Sequence, residues 1–166
     1  MKKICFFLLL LLCLTPIFAQ QTDTEFISTM RMDHFRLGTT KAEIEAIINK
    51  PLVNNEYEFK VTYKGSTYIL VFGGSGDEAP LYSVKSTNTK LKTKSGVGIG
   101  SNKMHILGVY DKYNIGIWNL ESNDSNIPKD KIQLIELHDY DARTCIWFKT
   151  VDRIVTEITV GYYEGC

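Results

Sequence analysis

The stretch YEFKVTYKGSTYILVF, residues 57–72, decides how the chain is read. Tyr57, Phe59, Val61 and Tyr63 alternate with Glu58, Lys60, Thr62 and Lys64. This is the period of two that a strand shows when one face is buried. Gly65-Ser66 interrupts the alternation, and Tyr68, Leu70 and Phe72 resume it. A two-residue turn with Gly first would set Tyr63 opposite Tyr68, Val61 opposite Leu70 and Phe59 opposite Phe72. The stretch therefore predicts a hairpin with an apolar face. Residues 73–77 are glycine-rich and read as a loop, and 81–92 as a third, more polar strand.

A helix is predicted upstream. Thr40 and Glu43 have the spacing of a capping box, in which each side chain meets the other's backbone N–H. Ile44, Ile47 and Ile48 then form one apolar stripe, and Pro51 stops the helix. Downstream, the same order returns with a shift of 62 residues. Leu37-Gly38-Thr39-Thr40-Lys41 becomes Ile99-Gly100-Ser101-Asn102-Lys103, and Ile44 maps to Ile106. Ser101 or Asn102 would cap that second helix. Residues 119–130 form a polar insertion, and strand-like segments follow at about 131–138, 143–150 and 154–162, with Asp152-Arg153 as the last turn. The expected fold is α+β, two tandem helix-plus-three-strand units with the helices packed on antiparallel sheet. The expected divisions are a leader at 1–19, a polar lead-in at 20–35, a first unit at 36–95 and a second at 96–166.

The leader is expected from Lys2 and Lys3, the apolar run Ile4–Leu14 and the small residue Ala19. That is the layout of a secretory signal, and the run is shorter than the ~20 apolar residues of a membrane span. Cys13 follows Leu12, not a small residue, which argues against lipid attachment. The whole chain of 166 residues has 19 bases and 19 acids; without residues 1–19 there are 17 bases against 19 acids, a net charge of −2. Such a balance argues against a nucleic-acid partner and against a polybasic membrane patch. A periplasmic or secreted location follows. Cys145 and Cys166 then remain, free to form one bridge, to stay as thiols or to link two chains. With Asp152-Arg153 as the turn, Cys145 opposes Val160, so Cys166 would have to double back to reach it.

The phrase Leu37-Gly-Thr-Thr-Lys-Ala-Glu-Ile, ending in Asn49-Lys50-Pro51, resembles the capped helix of the SmpA/OmlA (BamE) and beta-lactamase-inhibitory-protein-like superfamily. Residues 93–103 look like a second-unit version, and the resemblance spans roughly residues 35–163. It implies helices on an antiparallel sheet and proteins that bind other proteins, usually through the sheet. Asn49 departs from that pattern, where Gly often stands, and the second unit lacks the closing Gly-Lys-Pro. The resemblance carries no catalytic residues over.

Chemistry is sparse in the sequence. His34, His105 and His138 show no metal-ligand spacing, and there is no C-x-x-C or H-E-x-x-H. An enzyme would have to use His138, Asp139 or Asp141, or pair Cys145 with His138, with a nucleophile nearby. Gly96, Gly98 and Gly100 precede a helix, as anion-binding loops do, but lack a phosphate-loop spacing. The expected function is a non-enzymatic protein-binding or envelope scaffold module without cofactor, whose partner is an envelope or extracellular protein. Trp118, Tyr162 and Tyr163 are the candidate contact residues. The alternative is a small-ligand binder with a pocket between helices and sheet.

Overall fold

A computed structural model describes residues 26–53, 57–120 and 131–163. The leader, most of the polar insertion and Cys166 lie outside the described residues. In chain order the elements are β1 (Phe26–Ser28), β2 (Arg31–Met32), β3 (Phe35–Arg36), α1 (Lys41–Ile48), β4 (Glu58–Tyr63), β5 (Ser66–Phe72), β6 (Leu81–Ser86), β7 (Lys92–Thr93), α2 (Lys103–Val109), β8 (Ile115–Asn119), β9 (Ile132–Asp139), β10 (Thr144–Val151) and β11 (Ile154–Tyr162).

Seven strands form one antiparallel sheet in the order β4-β5-β6-β11-β10-β9-β8, and a small sheet runs β3-β2-β1-β7. The expected tandem helix-plus-three-strand units are overturned, because the fold is mostly β. The helices among the described residues have only eight and seven residues. The second half contributes four strands to the large sheet, because Ile115–Asn119 pairs with β9. The segment read as a polar lead-in supplies strands of the small sheet, and its Ile27, Met32 and Phe35 are fully buried. They join one core with Ile44 and Ile106 of the helices and Leu70, Val84, Phe148 and Ile158 of the large sheet. Burial of each such side chain is worth about 1.5–3 kcal/mol, so strands of two or three residues persist by packing.

The two helix entries are built alike. Thr40 caps α1 in a complete capping box, and Asn49 closes it in the left-handed conformation at φ 51°. Asn102 caps α2. Gly38 (φ 82°) and Gly100 (φ 83°) turn the chain into each helix. The Gly38 and Lys41 N–H groups donate to Leu81 and Ala79, and those of Gly100 and Lys103 to Val155 and Arg153.

Hairpin registers differ from expectation. The first turn is Lys64-Gly65, both at positive φ (46° and 79°), so Tyr63 pairs with Ser66, Val61 with Tyr68 and Phe59 with Leu70. Two consecutive positive-φ residues are the pattern of a type I′ turn, whose backbone matches the right-handed twist of the strands. The change is two residues, so the same side chains face the core. In the last hairpin a bulge between Lys149 and Thr150 moves Cys145 from Val160 to Gly161.

On β10 the core face carries Thr144, Ile146, Phe148 and Thr150, all buried. The opposite face carries Cys145 and Trp147, level with His138 and Glu136 of β9. Gly116 and Trp118 of β8 continue that face. This end of the large sheet holds the chemistry.

Candidate functional site

Glu136 organises the β8–β9–β10 end. The Trp118 indole N–H donates to its Oε2 at 2.7 Å, and the Trp147 indole N–H to its Oε1 at 2.9 Å. Gly116 makes room for this arrangement. A Cβ there would lie 3.0 Å from Glu136 Oε2 and 3.1 Å from Trp118 Nε1. Trp118 is thus oriented although 59% of it is exposed. His138 Nε2 lies 3.3 Å from the same Oε2; a carboxylate only accepts, so Nε2 is the nitrogen that donates. Tyr140 stacks on the His138 ring at 5.2 Å between centroids, and Tyr163 meets it edge-on at 4.6 Å. His138 Nδ1 is buried and has no hydrogen-bond partner among the described residues.

Beside this cluster lies a cleft of about 470 Å³, lined by Thr29, Tyr113, Asn114, Leu137, His138, Asp139, Tyr140 and Asp141. Tyr113 and Tyr140 are 63% and 58% exposed. The Asp139 carboxylate receives the Thr29 hydroxyl at 3.0 Å and the Ala142 N–H at 3.1 Å, tying the small sheet and the β9–β10 turn together. Asp141 stands exposed at the rim.

Among the described residues no strand pairs with the outer edge of β8. His138 N–H donates to Asn114 O, and Leu120 N–H to Ile132 O. The even-numbered residues 114–120 therefore face β9, and Ile115, Ile117 and Asn119 turn their backbone groups outward. β8 carries no charged residue, whereas β4, the edge at the other end, carries exposed Glu58 and Lys60. Charges of that kind discourage pairing with another chain.

The structure separates the residues singled out from the sequence. Of the candidate contacts, only Trp118 is widely exposed. Tyr162 packs against Tyr82 and the core, and Tyr163 is half-buried against His138. Cys145 and His138 are direct cross-strand partners, yet Cys145 is a fully buried free thiol. Burial, with Glu136 nearby, pushes that thiol up to about 12, the reverse of an activated nucleophile. Its suggested bridge partner Cys166 lies outside the described residues. His138, Asp139 and Asp141 do share the cleft, where Asp139 is engaged as above. The glycine run before α2 spends its N–H groups internally: Gly96 and Val97 donate to Thr93, Gly98 to Ser101 and Gly100 to Val155. His105 is exposed on α2. His34 lies 3.4 Å from Asp33, whose other carboxylate oxygen accepts the Tyr68 hydroxyl at 2.9 Å.

A groove of about 500 Å³ runs between the segment after α1 and β4, with Lys50, Glu58 and Lys60 among its lining. Its apolar wall is made by Leu52, Phe59 and Val61 of the core and by Ile48, which packs against that core. Among the described residues no three His, Cys, Asp or Glu converge as a metal site, and no helix is long and apolar enough to cross a membrane.

Sequence reasoning missed Tyr113, Tyr140 and Glu136. The signal for both tyrosines was present, since each sits in a short polar turn (Asp-Lys-Tyr-Asn and Asp-Tyr-Asp) that has no core to enter. Compared with known families, curated proteins and solved structures, the chain matches none.

Proposed function

We propose that the protein is a secreted, non-enzymatic binding module of the cell envelope whose protein partner docks on the β8–β9 end of the large sheet. One observation carries this reading. Of the eight large apolar or aromatic side chains exposed among the described residues, four stand at the β8–β9 end: Tyr113 just before β8, Ile117 and Trp118 on opposite faces of β8, and Tyr140 in the β9–β10 turn. Exposed aromatics concentrated at one place are the usual anchors of a partner surface. The uncharged edge of β8 adds backbone groups that an extended segment of a partner can pair with.

The titratable groups at this end favour binding over catalysis. The Cys145 thiol is held neutral, His138 is turned to Glu136 beneath two tyrosine rings, and Asp139 already accepts two hydrogen bonds. The resemblance of the α1 segment to a superfamily of protein-binding scaffolds and inhibitors agrees with the reading, and the leader-like residues 1–19 supply the location.

A photoreactive phenylalanine placed at Tyr140, at Trp118 or, as a control, at Tyr57 tests this in cells of origin. The expected result is one specific protein adduct from the first two positions and none from Tyr57. Adducts absent at Tyr140 and Trp118, or identical at Tyr57, overturn the proposal.

A further inference from the structure

We infer that the cleft between Tyr113 and Tyr140 receives an arginine side chain of the partner. The inference rests on the reading of this end as a partner-docking surface and specifies what the partner must present there.

The argument is one of complementarity. Every polar side chain bordering the cleft that could address a ligand offers acceptors. Among the described residues, Asp139 keeps a lone pair on each oxygen beyond its bonds to Thr29 and Ala142. Asp141 is exposed, and Asn114 can present its amide oxygen. Among the described residues no lysine or arginine lines the cleft, the nearby Lys112 and Arg143 included. Anionic ligands are therefore disfavoured and a donor-rich cation is favoured.

His138 is an independent sign of a missing donor. Its side chain is only 7% exposed, and it lines the cleft. With Nε2 committed to Glu136, its Nδ1 is left as a buried acceptor without a partner among the described residues. Such groups are rare in folded proteins and call for an explanation. The Tyr140 ring lies over that imidazole, stacked within 5° of parallel. That ring covers a face of the imidazole, whereas the Nδ1 lone pair lies in the imidazole plane, so a donor approaches it from the imidazole's edge with Tyr140 in place.

The aromatic rings choose among cations. One face of Tyr140 covers His138 and leaves the other for a cation, and Tyr113 stands across the cleft with its ring edge-on to Tyr110. A planar guanidinium stacks on a tyrosine face and forks its N–H groups to a carboxylate, which an ammonium cannot do.

The test is an NMR titration of the intact mature protein with a blocked Gly-Arg-Gly peptide and its citrulline counterpart, which keeps the shape and loses the charge. The arginine peptide is expected to shift the amides of Tyr113, Asn114 and Leu137–Asp141. Its affinity should fall at least fivefold in Asp141→Asn and in Tyr140→Leu, and fall again at high salt. Equal binding of the citrulline peptide, shifts elsewhere, or no effect of Asp141→Asn overturns the inference. A partner adduct at Tyr140 that persists in Asp141→Asn leaves the docking surface standing without its arginine. Peptide binding that depends on Asp141, with no adduct at Tyr140, has the reverse meaning.

Discussion

Trp118 lies over Gly116 with its indole N–H 2.7 Å from a Glu136 oxygen, so a largely exposed aromatic ring is held in one direction. An exposed ring that is already ordered loses less freedom when a partner packs on it. The same carboxylate holds Trp147, and His138 stands within 3.3 Å. Glu136→Gln offers one acceptor and introduces two donors, so at least one of these groups loses its bond. Stability should fall by about 1–2 kcal/mol, measured by urea titration, and Trp118 emission in a Trp147→Phe background should shift to longer wavelength. An unchanged spectrum would mean that Glu136 does not orient the ring.

Cys145 makes alkaline pH destabilising. Its thiol titrates near 9 when exposed and at about 12 in the fold, so the folded protein keeps a proton that the unfolded chain releases. That contribution is complete below pH 9 and is lost as pH rises toward 12, by roughly 1.4 kcal/mol per unit. Tyr68, raised by burial and then by Asp33, adds to the loss above pH 10. Cys145→Ala should flatten the fall in Tm between pH 9 and 10, whatever its effect at neutral pH. In the folded wild type, alkylation of Cys145 at pH 8 should track unfolding and not occur readily in the native state.

Tyr68 donates to Asp33 inside the core, linking β5 to the turn after β2 at 2.9 Å. Tyr68→Phe leaves the buried carboxylate short of a donor, and should cost about 1–3 kcal/mol. Chemical denaturation measures this; a loss well under 0.5 kcal/mol would show that Asp33 finds another partner.

The turn between β10 and β11 stores removable strain. Asp152 and Arg153 both adopt positive φ, at 50° and 68°. Asn-Gly suits these two positions, because Asn tolerates and Gly freely adopts the left-handed region. The double substitution Asp152→Asn, Arg153→Gly should raise stability by about 0.5–1 kcal/mol. The Arg153 carbonyl bond to Lys103 N–H is a backbone contact and is retained.

What the sequence reveals depends on element length. The Thr40–Glu43 capping box and the Ile44 stripe are local signals and they hold. Strands β9, β10 and β11 fall within a residue of the spans their patterns suggest, because eight or nine residues are enough to show a period of two. β8 was invisible, since Ile-Gly-Ile-Trp-Asn has neither the length nor a charged alternate face. The small sheet was invisible as well; strands of two or three residues have no period. The tandem-unit architecture failed for this reason, and the Cys145 register failed because a bulge leaves no mark in composition. Of the candidate site, His138, Asp139, Asp141 and Trp118 were legible as residue types. Their convergence with Tyr113, Tyr140 and Glu136 depends on β8 joining β9, which only the fold supplies.

The most direct test of the central claim is binding of the protein captured by crosslinking at Trp118 and Tyr140 to a Trp118→Ala/Tyr140→Ala protein, compared with wild type and with Tyr57→Ala, all matched for Tm. The account predicts that the double variant loses at least tenfold in partner affinity while Tyr57→Ala, 58% exposed beside β4, binds as wild type does. Undiminished binding by a folded Trp118→Ala/Tyr140→Ala protein would contradict it.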